Sequence, residues 1–152
     1  MLAADVMTRE LVTVEPTTTV QKAMDLIHAN RLHDIPVVDA DGKPLGVITG
    51  RAILHAALPP YISENLIAAM RGLPDMPSIY EHLNEIADLP VGELMDKRIF
   101  SVRPDTPTSA IAAMLVHMKD DTHDILVTDN AGKLVGSISC IDLFFRSPRR
   151  NA

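Results

Sequence analysis

The sequence predicts a mixed α/β (α+β) fold in which two copies of one strand, helix, strand, strand, helix unit flank a helical insert. Three observations lead there. The first is an internal repeat: HDIPVVDADGKPLGVITGRAIL at 33–54 aligns without a gap on HDILVTDNAGKLVGSISCIDLF at 123–144. His33, Asp34, Ile35, Asp39, Gly42, Lys43, Gly46 and Ile48 recur as His123, Asp124, Ile125, Asp129, Gly132, Lys133, Gly136 and Ile138, 90 places on. The second is a matching pair of leading segments, VMTRELVTVEP at 6–16 and LMDKRIFSVRP at 94–104. These are offset by 88, which puts two extra residues in the second copy near Asp105 to Ser109. The third is a change of apolar period within each copy, from alternation to helical spacing and then to short apolar runs.

Taken in order, LVTV (11–14) and IFSV (99–102) alternate before a proline and predict a short strand in each copy. Val20, Ala23, Met24 and Ile27 fall on one face of a helix, as do Ile111, Met114, Leu115 and Met118, with Thr19 and Ser109 as candidate caps. Apolar runs at 35–38 and 45–48, and again at 125–128 and 134–138, flank Asp-Gly and Asn-Ala-Gly, the turn chemistry of a hairpin. A short helix closes each copy, at about 50–57 and 140–146. A unit of this size buries too little surface to stand alone, so the two copies are expected to pack their sheets together around a shared core. The division predicted is 1–54 for the first repeat, 55–92 for the insert, 93–146 for the second repeat and 147–152 for a tail. Within the insert, Pro59 and Pro60 start one helix carrying Ile62, Leu66, Ile67 and Met70, and a second helix carries Ile79, Leu83 and Ile86.

The bulk properties narrow the class of function. At 152 residues and 47% hydrophobic the chain can build a core, and with 3% aromatic residues that core is aliphatic, with methionines at 24, 114 and 118 as fillers. A formal charge of −6 argues against nucleic acid as a partner, because phosphate backbones need clustered cations. No apolar run reaches the ~18 residues of a membrane span, so no membrane insertion is expected. The start MLAADVMTREL lacks a signal peptide's pattern, and the single Cys140 cannot close a disulfide within the chain, so the cytoplasm is the expected location. The six histidines follow no metal-motif spacing, so no metal is expected. No nucleophile-and-base motif and no Walker loop is present, so the chain does not read as an enzyme.

Ser139 and Asp142 stand three apart where a strand gives way to a helix, while the first copy has Thr49 and, in place of the acid, Ala52. A hydroxyl beside the first free amides of a helix is placed for a phosphate. An acid one turn on can accept hydrogen bonds from both hydroxyls of a ribose. The same residues also read as a helix cap and an early-helix acid favoured by the dipole. The repeated VMT/LMD start, the IPVVD strand, the GVIT and GSIS strand ends and Asp142 after Ser139 resemble the CBS (cystathionine-beta-synthase) domain family in its tandem form, the Bateman module. The likeness covers about 6–54 and 94–145.

The resemblance implies two three-stranded sheets with two helices each, related by a pseudo-twofold axis and enclosing two clefts. Family members bind AMP, ADP, ATP or S-adenosylmethionine there and signal to an attached or separate protein. Many pair into a disc-like homodimer. Carried over residue by residue, the site predicted in the second copy is Ser139 and Asp142 with Phe100, Ser101, Val102, Ile125 and Leu126 around the base, and His123 nearby. The first copy offers a weaker site of Thr13, Val14, His33, Ile35, Pro36 and Thr49, with Arg51 for phosphate. The function implied is a regulatory module acting on a separate, unidentified effector protein. The alternative is a ligand-free dimerisation or scaffolding module whose clefts have decayed.

Overall fold

The computed structural model describes residues 1–59, 75–118 and 124–146. In chain order its elements are α1 (Ala3–Val6), α2 (Val20–Asn30), β1 (Asp34–Val38), β2 (Pro44–Thr49), α3 (Gly50–Ala57) and α4 (Met76–Ile86), then a 3₁₀ turn (Val91–Glu93), β3 (Ser101–Val102), α5 (Thr108–His117), β4 (Ile125–Thr128), β5 (Leu134–Ile138) and α6 (Cys140–Arg146). The helix expected to carry Ile62, Leu66, Ile67 and Met70 lies outside the described residues, as does the tail at 147–152.

The repeat is reproduced pair by pair in the hairpins. Strand β1 runs antiparallel to β2 with Ile35 opposite Ile48, and β4 to β5 with Ile125 opposite Ile138. All four isoleucines are fully buried. In each hairpin the aspartate that opens the turn ties it down. Asp39 Oδ1 accepts from the amides of Asp41 and Lys43, both at 2.9 Å, and Asp129 Oδ1 from those of Ala131 and Lys133, at 2.9 and 3.0 Å. The glycines that follow, Gly42 at φ +80° and Gly132 at φ +83°, adopt the left-handed backbone that a side chain would strain. The two turns also meet, since the Leu134 amide donates to the Gly42 carbonyl at 3.0 Å.

Two local expectations need correcting. The segment 11–14 makes no strand: only Val14 pairs, in an isolated parallel bridge to Val37, and the second copy's counterpart is two residues long, Ser101 and Val102 beside Leu126 and Val127. The first half therefore has a two-stranded sheet and the second a three-stranded one. Just past both segments the chain turns in the same way, with Glu15 and Arg103 giving their amides to the hydroxyls of Thr18 and Thr106, both at 3.1 Å. Ser109 does not cap α5, which begins one residue earlier behind Pro107. There the chain's start takes the cap's place, with the Thr108 amide donating to the Met1 carbonyl at 3.0 Å. Thr19 does cap α2, accepting from the Lys22 amide at 3.2 Å.

In place of one shared core, each half has its own. Val14, Val20, Ala23, Ile35, Val37, Ile48, Ile53 and Val91 form one; Ala3, Val6, Met7, Val102, Ile111, Ile125, Val127 and Ile138 form the other. Met24 packs on the first, Met114 and Met118 on the second. In α4, Ile79 is buried and Leu83 and Ile86 pack on the first core. The leading segments are exchanged between halves. Ala3, Val6 and Met7 seal the second core, and Val91, Leu94 and Met95 close the first.

Matched backbone bridges hold the exchange. Thr8 and Ser137 trade amide bonds at 2.9 and 3.0 Å, and Asp96 and Val47 do the same at 2.8 and 2.9 Å. This contact explains the repeated Gly46 and Gly136. A Cβ on Gly46 would stand 2.6 Å from the Asp96 carbonyl, and one on Gly136 2.6 Å from Met7 Sδ. With no side chain on the strand, the methionine segment of the opposite copy lies flush against it.

Candidate functional site

The exchange opens two clefts between the halves, each walled by a strand-to-helix junction of one copy and the leading segment of the other. At the first, β5 ends at Ile138 and α6 starts at Cys140, leaving Ser139 as the link. The Ser139 amide and hydroxyl donate to Asp142 Oδ2 at 2.9 and 3.2 Å, and the Asp142 amide donates back to Ser139 Oγ at 3.4 Å. This reciprocal pairing is a capping box, which orients the carboxylate. Across the cleft the Thr8 hydroxyl donates to Asp142 Oδ1 at 3.0 Å. With two lone pairs on each carboxylate oxygen, Oδ2 is fully engaged by Ser139 and Oδ1 keeps one acceptor position beside the Thr8 contact.

The Asp142 cleft measures about 350 Å³. Of the residues expected there, Ser139, Asp142 and Leu126 line it; Phe100 and Ser101 are exposed and do not, and the side chains of Val102 and Ile125 belong to the second core. His123 lies outside the described residues. The apolar wall comes instead from the other half, through Leu11, Val12, Leu32 and Pro36, so Pro36, expected beside Thr49, stands in the Asp142 cleft. Glu10, Asp34 and Asp124 add three further acids, and none of the described lining residues is Lys, Arg or His.

The second cleft, about 1020 Å³, surrounds the β2 to α3 junction. Thr49 Oγ1 accepts from the Ala52 amide at 2.9 Å, the cap of the other junction without its returning acid. His33, Thr49 and Arg51 line this cleft as expected; Thr13 is exposed, and Val14 and Ile35 are buried in the first core. Asp34, which borders both clefts, and His55, Glu93, Asp96 and Arg98 complete its polar wall. Arg98 grips Asp96 through Nε to Oδ1 at 3.2 Å and Nη2 to Oδ2 at 3.1 Å, while its own side chain stays 78% exposed.

Sequence reasoning missed Thr8, Glu10, Leu11 and Val12 as Asp142-cleft residues, and it missed Asp96 and Arg98, the counterparts of Thr8 and Glu10, in the other cleft. The repeat marks both segments, but nothing in it says that each crosses to the other copy. Asp34 and Asp124 were marked too, as recurrent neighbours of the histidines. Among the described residues, no group of three or more His, Cys, Asp or Glu is placed to hold a metal ion, and no helix is long and apolar enough to cross a membrane.

Comparison with known proteins agrees with this architecture. The CBS domain profile matches twice, over residues 3–59 and 91–148. The chain is 31% identical over 137 residues to the CBS domain-containing protein CBSX1 of Arabidopsis thaliana, covering 86% of this chain and 56% of that protein. Among solved structures, a CBS domain-containing protein of unknown function from Bacillus anthracis superposes with a TM-score of 0.74 at 16% identity, over 95% of this chain and 90% of that one. CBSX2 of Arabidopsis thaliana in complex with AMP superposes with a TM-score of 0.66 at 23% identity, over 94% and 93%. The two matched repeats, folded as two hairpin-and-helix halves that exchange their leading segments, place this chain in the CBS domain family, as a tandem pair of CBS domains.

Proposed function

We propose that the chain is a non-enzymatic regulatory module that binds an adenosyl ligand (AMP, ADP, ATP or S-adenosylmethionine) in the cleft beside Asp142 and passes the occupancy to a separate partner protein. The observation that carries this reading is the Asp142 carboxylate, fixed by Ser139 and Thr8 at the wall of a cleft of about 350 Å³ between the halves. The acceptor position left on Oδ1 suits a ribose hydroxyl, with a second opened if the Thr8 hydroxyl turns away, and Leu11, Val12, Leu126 and Pro36 offer an apolar face for a base. That a protein of this fold, CBSX2, has been solved with AMP supports the ligand class. Binding at the wall between two halves biases how they sit against each other, and a partner can read that shift. Isothermal titration of adenosine and AMP tests the reading. One site per chain is expected, weakened about tenfold or more in Asp142→Ala, since a hydrogen bond to a charged group is worth about 1.5–3 kcal/mol. Unchanged affinity in that variant counts against it.

A homodimer or assembly role has its own supporting observation. Ile141, Phe144 and Phe145 on α6 are 63%, 69% and 62% exposed, and Leu54, the repeat counterpart of Phe144, is 51% exposed on α3. Such apolar groups on paired helices suit a second copy of the chain. Light scattering on Phe144→Glu tests this: a dimer that becomes a monomer supports it, and a wild-type monomer at tens of micromolar refutes it.

A further inference from the structure

The two halves meet where their hairpin turns touch, and at that contact the repeat is broken by one residue. Each hairpin carries a bulge at the same place: Val37 and Val38 face Gly46 and Pro44, and Val127 and Thr128 face Gly136 and Leu134, which leaves Leu45 and Val135 as the extra residues. Just before its bulge, the Leu134 amide donates to the Gly42 carbonyl at 3.0 Å. The counterpart of Leu134, 90 places earlier, is Pro44, which has no amide hydrogen to give to the Gly132 carbonyl. One of two equivalent bonds is therefore missing by chemistry. The Leu134 amide points out of its own sheet, so a proline at the matching place in β2 removes no bond within a half, and its effect falls on the contact between halves.

The packing around the contact is uneven in the same sense. On the bonded side Lys133 lays its stem over Gly42, where a Cβ would stand 3.1 Å from Lys133 Cγ and Cε. On the Pro44 side the stem of Lys43 would stand 3.9 Å from a Cβ on Gly132. Val135 packs on the second core, whereas Leu45 is 39% exposed. The bridges of Thr8 to Ser137 and of Asp96 to Val47 do not tie half to half, because each leading segment has already crossed and belongs to the body it seals. Between the bodies the chain runs through 9–13 and 97–100, which are neither helix nor strand. Strands β2 and β5 start at the turn contact and end at Thr49 and Ile138, beside the two junctions that wall the clefts.

We infer that the turn contact is a pivot between the halves, and that Pro44 holds it to one backbone bond and so leaves it free to rock. One bond fixes a point of contact but not an angle; a second, equivalent bond would fix both. A rotation at the turns is carried along β2 and β5 to both junctions, so one movement sets the two clefts. The inference concerns the empty protein and does not rest on the adenosyl-ligand reading.

The test uses the full chain without ligand. Cys140, the one cysteine, is exposed at the start of α6, and Gly50 holds the equivalent place on α3, with nothing within 4 Å of a Cβ built there. Spin labels on Cys140 and on Gly50→Cys read the distance between the two junctions by pulsed electron resonance. A broad distribution is expected in this background. It is expected to narrow with Pro44→Leu, which gives position 44 the residue type of its counterpart, and to broaden further with Leu134→Pro. In hydrogen exchange, Pro44→Leu is expected to slow the Leu134 amide about fivefold, the factor that one backbone hydrogen bond supplies, and to protect the amide newly present at position 44. Replacing a proline also frees the unfolded chain, so global stability is not the readout. A distance distribution that keeps its width in Pro44→Leu overturns the inference, as does an unchanged exchange rate at Leu134. Leu134→Pro puts a proline where the first copy already holds one and tests the same pivot in the opposite direction; an unchanged or narrower distribution there overturns the inference as well.

Discussion

Set side by side, the two junctions share a scaffold and differ in what they present. At Ser139 the capping box is closed, with the amide and hydroxyl returned by Asp142 and a third contact from Thr8. At Thr49 only the forward half survives, the hydroxyl accepting from the Ala52 amide at 2.9 Å. The fold does not need the acid, since α3 forms without it. The difference teaches that the hydroxyl's cap and the acid's return contact are separable in this unit. A hydroxyl before the helix is enough for structure, and the acid one turn later is open to change.

The comparison can be broken most severely at the strand glycines. Gly46→Ala is expected to destabilise by roughly 2–3 kcal/mol, because the new Cβ meets a backbone carbonyl, whereas Gly136→Ala costs about 1 kcal/mol, because the Met7 side chain can shift; urea unfolding reads both. Next in size, Asp142→Ala is expected to lower adenosine affinity by about tenfold or more, which calorimetry resolves. Ala52→Asp sharpens the comparison from the other side. It is expected to close the second capping box, adding about 0.5–1 kcal/mol of stability, and to raise adenosine stoichiometry from one towards two per chain. The smallest effects are expected at the hairpins. Asp39→Ala and Asp129→Ala each remove an aspartate that meets two amides, and each costs about 1 kcal/mol in thermal unfolding; unequal costs would show that the twin turns are not energetically equivalent.

Much of this was legible in the sequence, and what was not has a common cause. The hairpins, α2, α3, α5 and α6 follow from local signals: Asp-Gly chemistry in the turns, apolar runs bounded by prolines and glycines, helical spacing of Val20 to Ile27. Ser139, Asp142, Thr49 and Arg51 were visible because they sit at repeated positions inside one copy. The partners across each cleft were not, because Thr8 reaches Asp142 over 134 residues and only the tertiary exchange brings them together. The failed strand at 11–14 belongs to the same class. Its alternation is that of a strand, but Leu11 and Val12 spend their apolar surface on the cleft instead of on a sheet. Ser109 was misread for a similar reason, since α5 starts one residue before it, where the Thr108 amide meets the carbonyl of Met1, far away in the chain.

The crossing of Ala3, Val6 and Met7 into one half, and of Val91, Leu94 and Met95 into the other, has an implication for how such a molecule can be inherited or engineered. A piece ending at residue 59 carries the plug of a body it does not contain, and a piece starting at 75 lacks its own. Severed in two, the chain is a pair of mutually dependent fragments, each missing what the other holds. A transplant of either repeat into a different protein has to bring along the opening residues of its neighbour.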